Sequence, residues 1–214
     1  MTPKLVIFDC DGVLVDSEPL SNIVMRDSLA RYGLPLTLDA CMAHFVGTSM
    51  TGCRAKAQLL GAILPANWIA EIYAETYAAL RKGVPVIPGI PALLDQLQGA
   101  KIPFCVASNG SIEKMQITLG QNGLLDRFEN AIFSAQSLGV SKPDPDLFLI
   151  AAARLNTTPP DCVVIEDSPG GALAAARAGM RCFGFAPENQ GQSLAAHGAH
   201  LFHNMSDLPA LLSL

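Results

Sequence analysis

Two aspartates separated by a single residue follow the first apolar run of the chain. Leu5-Val6-Ile7-Phe8 leads directly into Asp9-Cys10-Asp11-Gly12. Two carboxylates held this close repel each other, and a divalent cation such as Mg2+, which prefers hard oxygen ligands, removes that cost. The ordinary alternative is an Asp-Gly turn in which one aspartate is a cap. The motif alone does not decide between a metal site and a turn.

Three further polar motifs each follow a later apolar run. They are Ser108-Asn109-Gly110-Ser111, Ser141-Lys142-Pro143-Asp144-Pro145 and Glu166-Asp167-Ser168-Pro169-Gly170-Gly171. The first offers a hydroxyl and backbone N–H groups that suit a phosphate oxygen, the second offers a lysine for phosphate or carboxylate, and the third offers another pair of acids. Their ordinary alternatives are a helix cap, a solvated loop lysine and an acidic helix N-terminus. Together the four motifs indicate one shared site.

The elements that would position these motifs alternate between apolar runs and helical patterns. Strands are predicted at 5–8, 104–107, 131–133, 162–165 and 180–185, with helical patterns between them from residue 84 onward. Such alternation predicts an α/β fold, a Rossmann-like parallel sheet with helices on both faces. Since the carboxyl ends of parallel strands meet at one edge of the sheet, this fold would bring the four motifs together.

Residues 17–83 follow a different pattern. They contain no strand-like run, and apolar residues such as Leu20, Ile23 and Val24 recur at roughly helical spacing. We therefore predict two domains. An α/β core comprises 1–16 and 84–214, and an all-helical cap comprises 17–83.

The bulk composition excludes several classes of protein. The chain has 214 residues, 50% of them hydrophobic, and 19 acidic against 14 basic residues give a net charge of -5. This composition supports a folded core and lacks the basic footprint of a nucleic-acid-binding protein. No apolar run approaches the ~18 residues of a membrane span. Six dispersed cysteines without a C-x-x-C pair indicate reduced thiols in a cytoplasmic protein. We expect no nucleic-acid partner and no membrane partner.

Three histidines near the C-terminus are spaced by three residues. They are His197, His200 and His203. The spacing fits either a metal site or a surface loop, and the flanking Gly198 and Asn204, with no acids nearby, favour the loop.

The four motifs, in the order acid pair, hydroxyl, lysine, acid pair, resemble those of the haloacid dehalogenase superfamily. The resemblance covers the whole chain and is to phosphatases with a helical cap inserted after the first strand. Ser108-Asn109-Gly110, Lys114-Met115 and Lys142-Pro143-Asp144-Pro145 are most similar to β-phosphoglucomutase relatives and 6-phosphogluconate phosphatases. The resemblance implies Mg2+-dependent hydrolysis of a small phosphorylated metabolite, either a sugar phosphate or a sugar-acid phosphate such as 6-phosphogluconate. It leaves the oligomeric state open and slightly favours a monomer.

The resemblance also implies roles for individual residues. Asp9 would attack phosphorus and form an aspartyl-phosphate, while Asp11 would be general acid to the leaving group and then base for water. Ser108 and Lys142 would hold the transferring phosphoryl group. The implied Mg2+ ligands are Asp9, the backbone carbonyl of Asp11, Asp167 and, through water, Glu166.

The cap is expected to close over the substrate, with Asp16-Ser17-Glu18-Pro19 as its hinge. The residues predicted to bind the substrate are Asn109 in the core and Gly47, Thr48, Ser49, Arg54 and Lys56 in the cap. For Arg54 and Lys56 the ordinary alternative is a solvated helix face.

Four other functions remain open. A β-phosphoglucomutase-type sugar phosphomutase is disfavoured because Ser21 and Met50 stand where that mutase has His and Arg. A receiver-type signalling module is disfavoured because no acid follows the run at 131–133. For a phosphonatase, Lys56 is the one mid-cap candidate for the Schiff base, and Asp11 argues against a dehalogenase.

Overall fold

The sheet of this protein has six parallel strands. A computed structural model describes residues 2–187 and 191–214. Within these residues the strands are β1 (Leu5–Phe8), β2 (Phe104–Ser108), β3 (Ile132–Ser134), β4 (Cys162–Glu166), β5 (Arg181–Phe185) and β6 (His200–Phe202). Their order is β3-β2-β1-β4-β5-β6, and each neighbouring pair is parallel. This confirms the predicted Rossmann-like α/β fold.

The described residues form eleven α-helices. They are α1 (Glu18–Arg31), α2 (Leu38–Phe45), α3 (Met50–Leu59), α4 (Trp68–Leu80), α5 (Ile90–Gly99), α6 (Ile112–Gly120), α7 (Ala135–Leu138), α8 (Asp146–Arg154), α9 (Pro169–Arg177), α10 (Gln192–Ala195) and α11 (Leu208–Leu212). None of the helices in the described part of the chain is long and apolar enough to cross a membrane.

Strand β1 lies in the middle of the sheet, and all four of its residues are buried. Phe8 is in register with Val106 of β2 on one side and with Ile165 of β4 on the other. A strand covered on both faces requires an uninterrupted apolar run, which is what the sequence shows. The register therefore puts the ends of β2 and β4 on either side of Asp9.

Serines begin the helices that follow three of these strands. The side chains of Ser111, Ser134 and Ser168 accept hydrogen bonds from backbone N–H groups in the first turns of α6, α7 and α9. Such N-caps satisfy amide donors that a helix leaves unpaired. As a result, each chain segment turns sharply at the carboxyl edge of the sheet and leaves the motif residues there.

The sixth strand corrects a sequence prediction. Residues 197–203 were expected to form a surface loop, but 200–202 pair with β5 as an edge strand, with Phe183 opposite His200. The run is only three residues long, too short for an alternating pattern to stand out. The Nδ1 atom of His203 lies 2.6 Å from the carbonyl oxygen of Ala186. The cluster of metal-ligating side chains found among the described residues contains none of these histidines.

The chain divides into two compact units, Met1–Asp16 with Pro85–Leu214 and Ser17–Val84. The second unit contains α1 to α4, and the regular structure of its described residues is helical. The domain division at 16/17 and 83/84 stays a prediction. Its hydrophobic core is centred on Trp68, whose indole N–H donates to Ser28 Oγ at 3.0 Å. The remaining buried members of that core are Met25, Leu29, Cys41, Phe45, Cys53, Ala57, Ala62, Leu64 and Ile72.

Candidate active site

The ends of β1 and β4 bring three acids together. Asp9 directly follows β1, Glu166 is the last residue of β4, and Asp167 follows it. One carboxylate oxygen from each of the three lies within 4.8 Å of the others. The order of the sheet reverses between β1 and β4, and the crevice at such a reversal is where open α/β sheets bind ligands.

Lys142 links two of these acids. Its ammonium donates to Asp9 Oδ1 and to Glu166 Oε1, each at 2.6 Å, and only 4% of its side chain is exposed. The ammonium also lies 4.9 Å from the centre of the Phe148 ring. Burial alone would lower the pKa of Lys142, but Asp9 and Glu166 raise it above its usual value. The Lys142 ammonium, whose charged form its two partners favour, is therefore fixed beside Asp9, and the alternative of a solvated loop lysine is wrong.

The side chain of Asn109 holds the backbone of Lys142. Its Oδ1 accepts a hydrogen bond from the Lys142 N–H at 2.9 Å, and its Nδ2 donates to the Lys142 carbonyl at 3.4 Å. Arg177 of α9 donates to the carbonyl of Pro143 at 3.0 Å. The predicted role of Asn109 in substrate binding stays a prediction, while the structure gives its amide a second use, the positioning of Lys142.

Glu166 is the most deeply buried acid of the site, with no exposed surface. Its Oε2 accepts hydrogen bonds from Asp167 N (3.0 Å), Ser168 N (2.9 Å) and Ser168 Oγ (2.9 Å), while its Oε1 accepts from Lys142. A buried carboxylate is costly unless its oxygens accept hydrogen bonds, and these donors meet that requirement. Glu166 is thus held in place by its own loop, and it holds Lys142 in turn.

Two glycines make room for the acids of β4. A Cβ atom at Gly171, in the first turn of α9, would collide with the Glu166 carboxylate. A Cβ atom at Gly12 would collide with the Asp167 carboxylate, and Gly12 also has a φ of +77°, which residues with side chains rarely adopt. Both glycines are therefore required by the placement of neighbouring acids.

Asp11 has a partner that the chemistry of the four motifs did not predict. Lys114, in the first turn of α6, places its ammonium 2.8 Å from Asp11 Oδ2. Burial would lower the pKa of Lys114, but Asp11 raises it overall. The signal available in the sequence was position, since Lys114 is three residues after Ser111 and therefore lies in the first turn of a helix at the carboxyl edge of the sheet.

Ser108 is the last residue of β2, the strand that pairs with β1, and it is buried. Its Oγ accepts a hydrogen bond from the N–H of Gly110 at 3.0 Å, and Ser134 Oγ donates to the Gly110 carbonyl at 2.8 Å. The hydroxyl is therefore held in a tight turn at the edge where the acids meet. A fixed hydroxyl beside a lysine and a carboxylate suits a phosphate oxygen.

The electrostatics of the site favour a cation. The pKa of the Asp9 carboxyl is raised from 3.8 to about 7, chiefly by burial. The charges of Glu166 and Asp11 raise this pKa further, and Lys142 lowers it by less than the three together raise it. The two acid pairs bring four carboxyl groups to the site against the two lysines Lys114 and Lys142. Three close carboxylate oxygens with this excess of negative charge fit a hard divalent cation.

The cap residues predicted to bind substrate lie in the second unit, around α3. Ser49 caps this helix by accepting from Gly52 N at 3.2 Å, and Thr48 is exposed just before it. Arg54 donates to the carbonyl of Ala66 at 3.0 Å, and Lys56 donates to that of His44 at 2.7 Å. The expectation of a freely solvated face therefore does not describe either basic side chain, and their roles toward substrate stay predictions.

Comparison with known proteins places the chain among phosphatases. Residues 3–179 match the family described as haloacid dehalogenase-like hydrolase. The chain is 31% identical to 6-phosphogluconate phosphatase of Escherichia coli K12 over 97% of this chain and 94% of the relative. It is 32% identical to validoxylamine A 7'-phosphate phosphatase of Streptomyces hygroscopicus subsp. limoneus over 90% of each. Among solved structures, a HAD family hydrolase of Deinococcus radiodurans with bound phosphate and sodium has a TM-score of 0.83 and 31% identity, covering 99% of this chain and 96% of that one.

Proposed function

Since the chain belongs to the haloacid dehalogenase-like hydrolase family and is a phosphatase of small phosphorylated molecules, we propose that it is a Mg2+-dependent phosphomonoesterase that works through an aspartyl-phosphate on Asp9. Its proposed substrate is a sugar phosphate or a sugar-acid phosphate such as 6-phosphogluconate, the compound named for the Escherichia coli relative. A cytoplasmic location stays a prediction from the cysteines, all six of which are buried free thiols.

The observation that carries the proposal is the contact of Lys142 with Asp9. An ammonium 2.6 Å from a buried carboxylate marks a place where negative charge must be held away from bulk water. Phosphoryl transfer brings further negative oxygens to the nucleophile, and a fixed cation beside it stabilises them. A buried ion pair contributes little net stability, because desolvation of the two charges offsets most of their attraction. Stability alone therefore does not explain why this lysine is buried.

The chemistry proposed for these residues has two steps. In the first, an Asp9 oxygen forms a bond to phosphorus, the bond from phosphorus to the ester oxygen breaks, and Asp11 gives that oxygen a proton. In the second, water attacks phosphorus, its proton passes to Asp11, and the bond from phosphorus to Asp9 breaks. Ser108 and Lys142 hold the phosphoryl oxygens through both steps, so the transferred group moves little.

The residues that would hold the metal are Asp9, Asp167 and the backbone carbonyl of Asp11. When bound there, Mg2+ supplies positive charge to the phosphoryl oxygens and balances the excess of acids. Glu166 already accepts hydrogen bonds on both oxygens, which supports its predicted action through water rather than as a direct ligand.

The test is an assay of phosphate release from a panel of sugar phosphates and sugar-acid phosphates. We expect Asp9→Asn, and separately an excess of chelator, to abolish release by the folded protein. Asp161→Asn is the matched control, because Asp161 precedes β4 at the opposite edge of the sheet, and this variant should retain the wild-type rate. Wild-type turnover by Asp9→Asn would rule out the proposal. Isomerisation of a hexose 1-phosphate with little released phosphate would favour the phosphomutase instead.

A further inference from the structure

Lys114 is a second, partly buried lysine at this site, and the two steps proposed above do not use it. Only 20% of its side chain is exposed. It belongs to the first turn of α6, where Ser111 Oγ accepts a hydrogen bond from the Lys114 N–H. The positive end of a helix dipole disfavours a cation, and lysines are rarely buried without a partner. Contact with Asp11 offsets these costs, so the lysine is directed into the site and away from solvent.

Three groups of the site converge beside Gly110. A Cβ atom placed there would lie 3.3 Å from Ser108 Oγ, 3.5 Å from Lys114 Cδ and 3.7 Å from Asp11 Oδ2. The hydroxyl assigned to the phosphoryl group and the carboxylate assigned to the leaving group therefore both border the side chain of Lys114. A substrate whose ester oxygen contacts Asp11 must pass close to the lysine.

We propose that Lys114 determines specificity by binding an oxygen acceptor, a hydroxyl or a carboxylate, on the carbon next to the phosphate ester of the substrate. This rests on the proposed function, since the contact of Asp11 with the ester oxygen is what places the substrate. A general acid must come within about 2.6–3.2 Å of the ester oxygen. The Lys114 ammonium is itself 2.8 Å from that acid, which puts the neighbouring carbon of the substrate within its reach.

The chemistry of the ammonium defines the substrate class. The Lys114 ammonium is compact and has three N–H donors, and one of them faces Asp11 Oδ2. A substrate oxygen can take another donor, whereas an alkyl group at the same place would leave a buried charge without a partner for it. Phosphates of polyols and of hydroxy acids meet this requirement. In 6-phosphogluconate the hydroxyl on carbon 5 occupies the required position.

A simpler role for Lys114 would be to orient Asp11. If Lys114 only orients Asp11, it affects the hydrolysis of every alcohol ester equally. If Lys114 binds a substrate oxygen, it affects only the esters that carry an oxygen at that position. The two roles therefore differ in the ratio of kcat/KM for an ester that carries this oxygen and an ester that lacks it.

The experiment compares sn-glycerol 3-phosphate with n-propyl phosphate, which has the same three carbons and the same primary ester but lacks the hydroxyls. For the wild-type protein we expect kcat/KM to be about tenfold or more higher for the glycerol ester, as a charged hydrogen bond predicts. For Lys114→Met we expect the ratio to fall close to one. The matched control is Lys4→Met, because Lys4 also pairs with an aspartate, Asp161 at 3.0 Å, but precedes β1 at the opposite edge of the sheet.

Each outcome decides the proposal. An unchanged ratio in Lys114→Met, or a ratio near one in the wild type, would overturn it while Asp9-dependent hydrolysis leaves the proposed function standing. Equal losses for both esters would assign Lys114 to orientation of Asp11 and also overturn it. If wild type released no phosphate from any ester, the proposed function would fall and this inference with it. Thermal unfolding checks that the variant is folded, and Lys114→Leu, which also lacks a donor, gives the same readout should the methionine variant not fold.

Discussion

At the scale of single residues, the site depends on how Lys142 is held. The sequence predicted that a lysine between Ser141 and Pro143 would reach a phosphate, but it could not show which groups fix its backbone. The Asn109 amide uses its oxygen on the Lys142 N–H and its nitrogen on the Lys142 carbonyl. Such supporting contacts decide whether a charged group stands where the reaction needs it.

Replacing Asn109 by alanine should therefore lower kcat more than it raises KM. Loss of both hydrogen bonds would let the Lys142 loop shift, and a displacement of ~1 Å at a catalytic group lowers the rate by about ten- to hundredfold. Steady-state kinetics on one phosphate ester measure this split. Asn122→Ala is the matched control, since Asn122 also donates to a backbone carbonyl, that of Thr118 at 2.8 Å, at the far end of α6. A large rise in KM with kcat unchanged would instead assign Asn109 to substrate binding.

The limits of prediction from sequence are clearest for the lysines. Lys142 was identified because it lies in a loop between polar motif residues, whereas Lys114 lies inside a helix, where lysines are common and usually solvated. Its role became visible only once the start of α6 was placed against Asp11. Contacts between residues a hundred positions apart depend on register and side-chain direction, and local patterns carry little information about either.

At the scale of secondary structure, apolar runs of four or five buried residues predicted β1, β2 and β4 well because both faces of these strands are covered. The edge strand β6 was missed because one half-exposed face gives it a weaker pattern. Helix α9 has Ser168 as its N-cap and Pro169 as its first residue, and its first turn lies against the Glu166 carboxylate. The two glycines of that turn differ in the space around them. A Cβ atom at Gly170 would have no neighbour within 4 Å, whereas a Cβ atom at Gly171 would collide with Glu166.

Alanine substitutions at these two adjacent positions should have opposite effects. Gly170→Ala should leave activity unchanged and raise the free energy of unfolding by about 0.4–1 kcal/mol, since alanine restricts the unfolded chain and favours the helix. Gly171→Ala should lower it by about 1–3 kcal/mol and reduce kcat, because Glu166 must move and Lys142 loses a partner. Urea unfolding and steady-state kinetics of both variants measure these quantities. Equal behaviour of the two variants would contradict the steric role of Gly171.

At the scale of the whole molecule, the acids of the site lower the free energy of unfolding. Buried acids that outnumber their lysines destabilise the folded state when ionised, and a bound cation removes that cost. The sequence predicted that the acids converge, because the order of strands and motifs follows from alternation along the chain. It could not predict how deeply Asp9 is buried, which decides the size of the effect.

The metal-free protein should consequently lose stability as the pH rises. The pKa of Asp9 is about 7 in the folded protein and 3.8 as an ordinary carboxyl, so between these values the folded state binds more protons than the unfolded state. The contribution of Asp9 to the free energy of unfolding therefore falls from about pH 4 to pH 7 and stays low above it. Urea unfolding in chelator isolates this contribution as the difference between wild type and Asp9→Asn, whose amide resembles the protonated acid. We expect that difference to disfavour the wild type more at pH 8 than at pH 5, with added Mg2+ restoring more stability at pH 8, since the metal binds the ionised carboxylate. A difference that does not change between the two pH values would show that Asp9 ionises in the folded protein as it does in water.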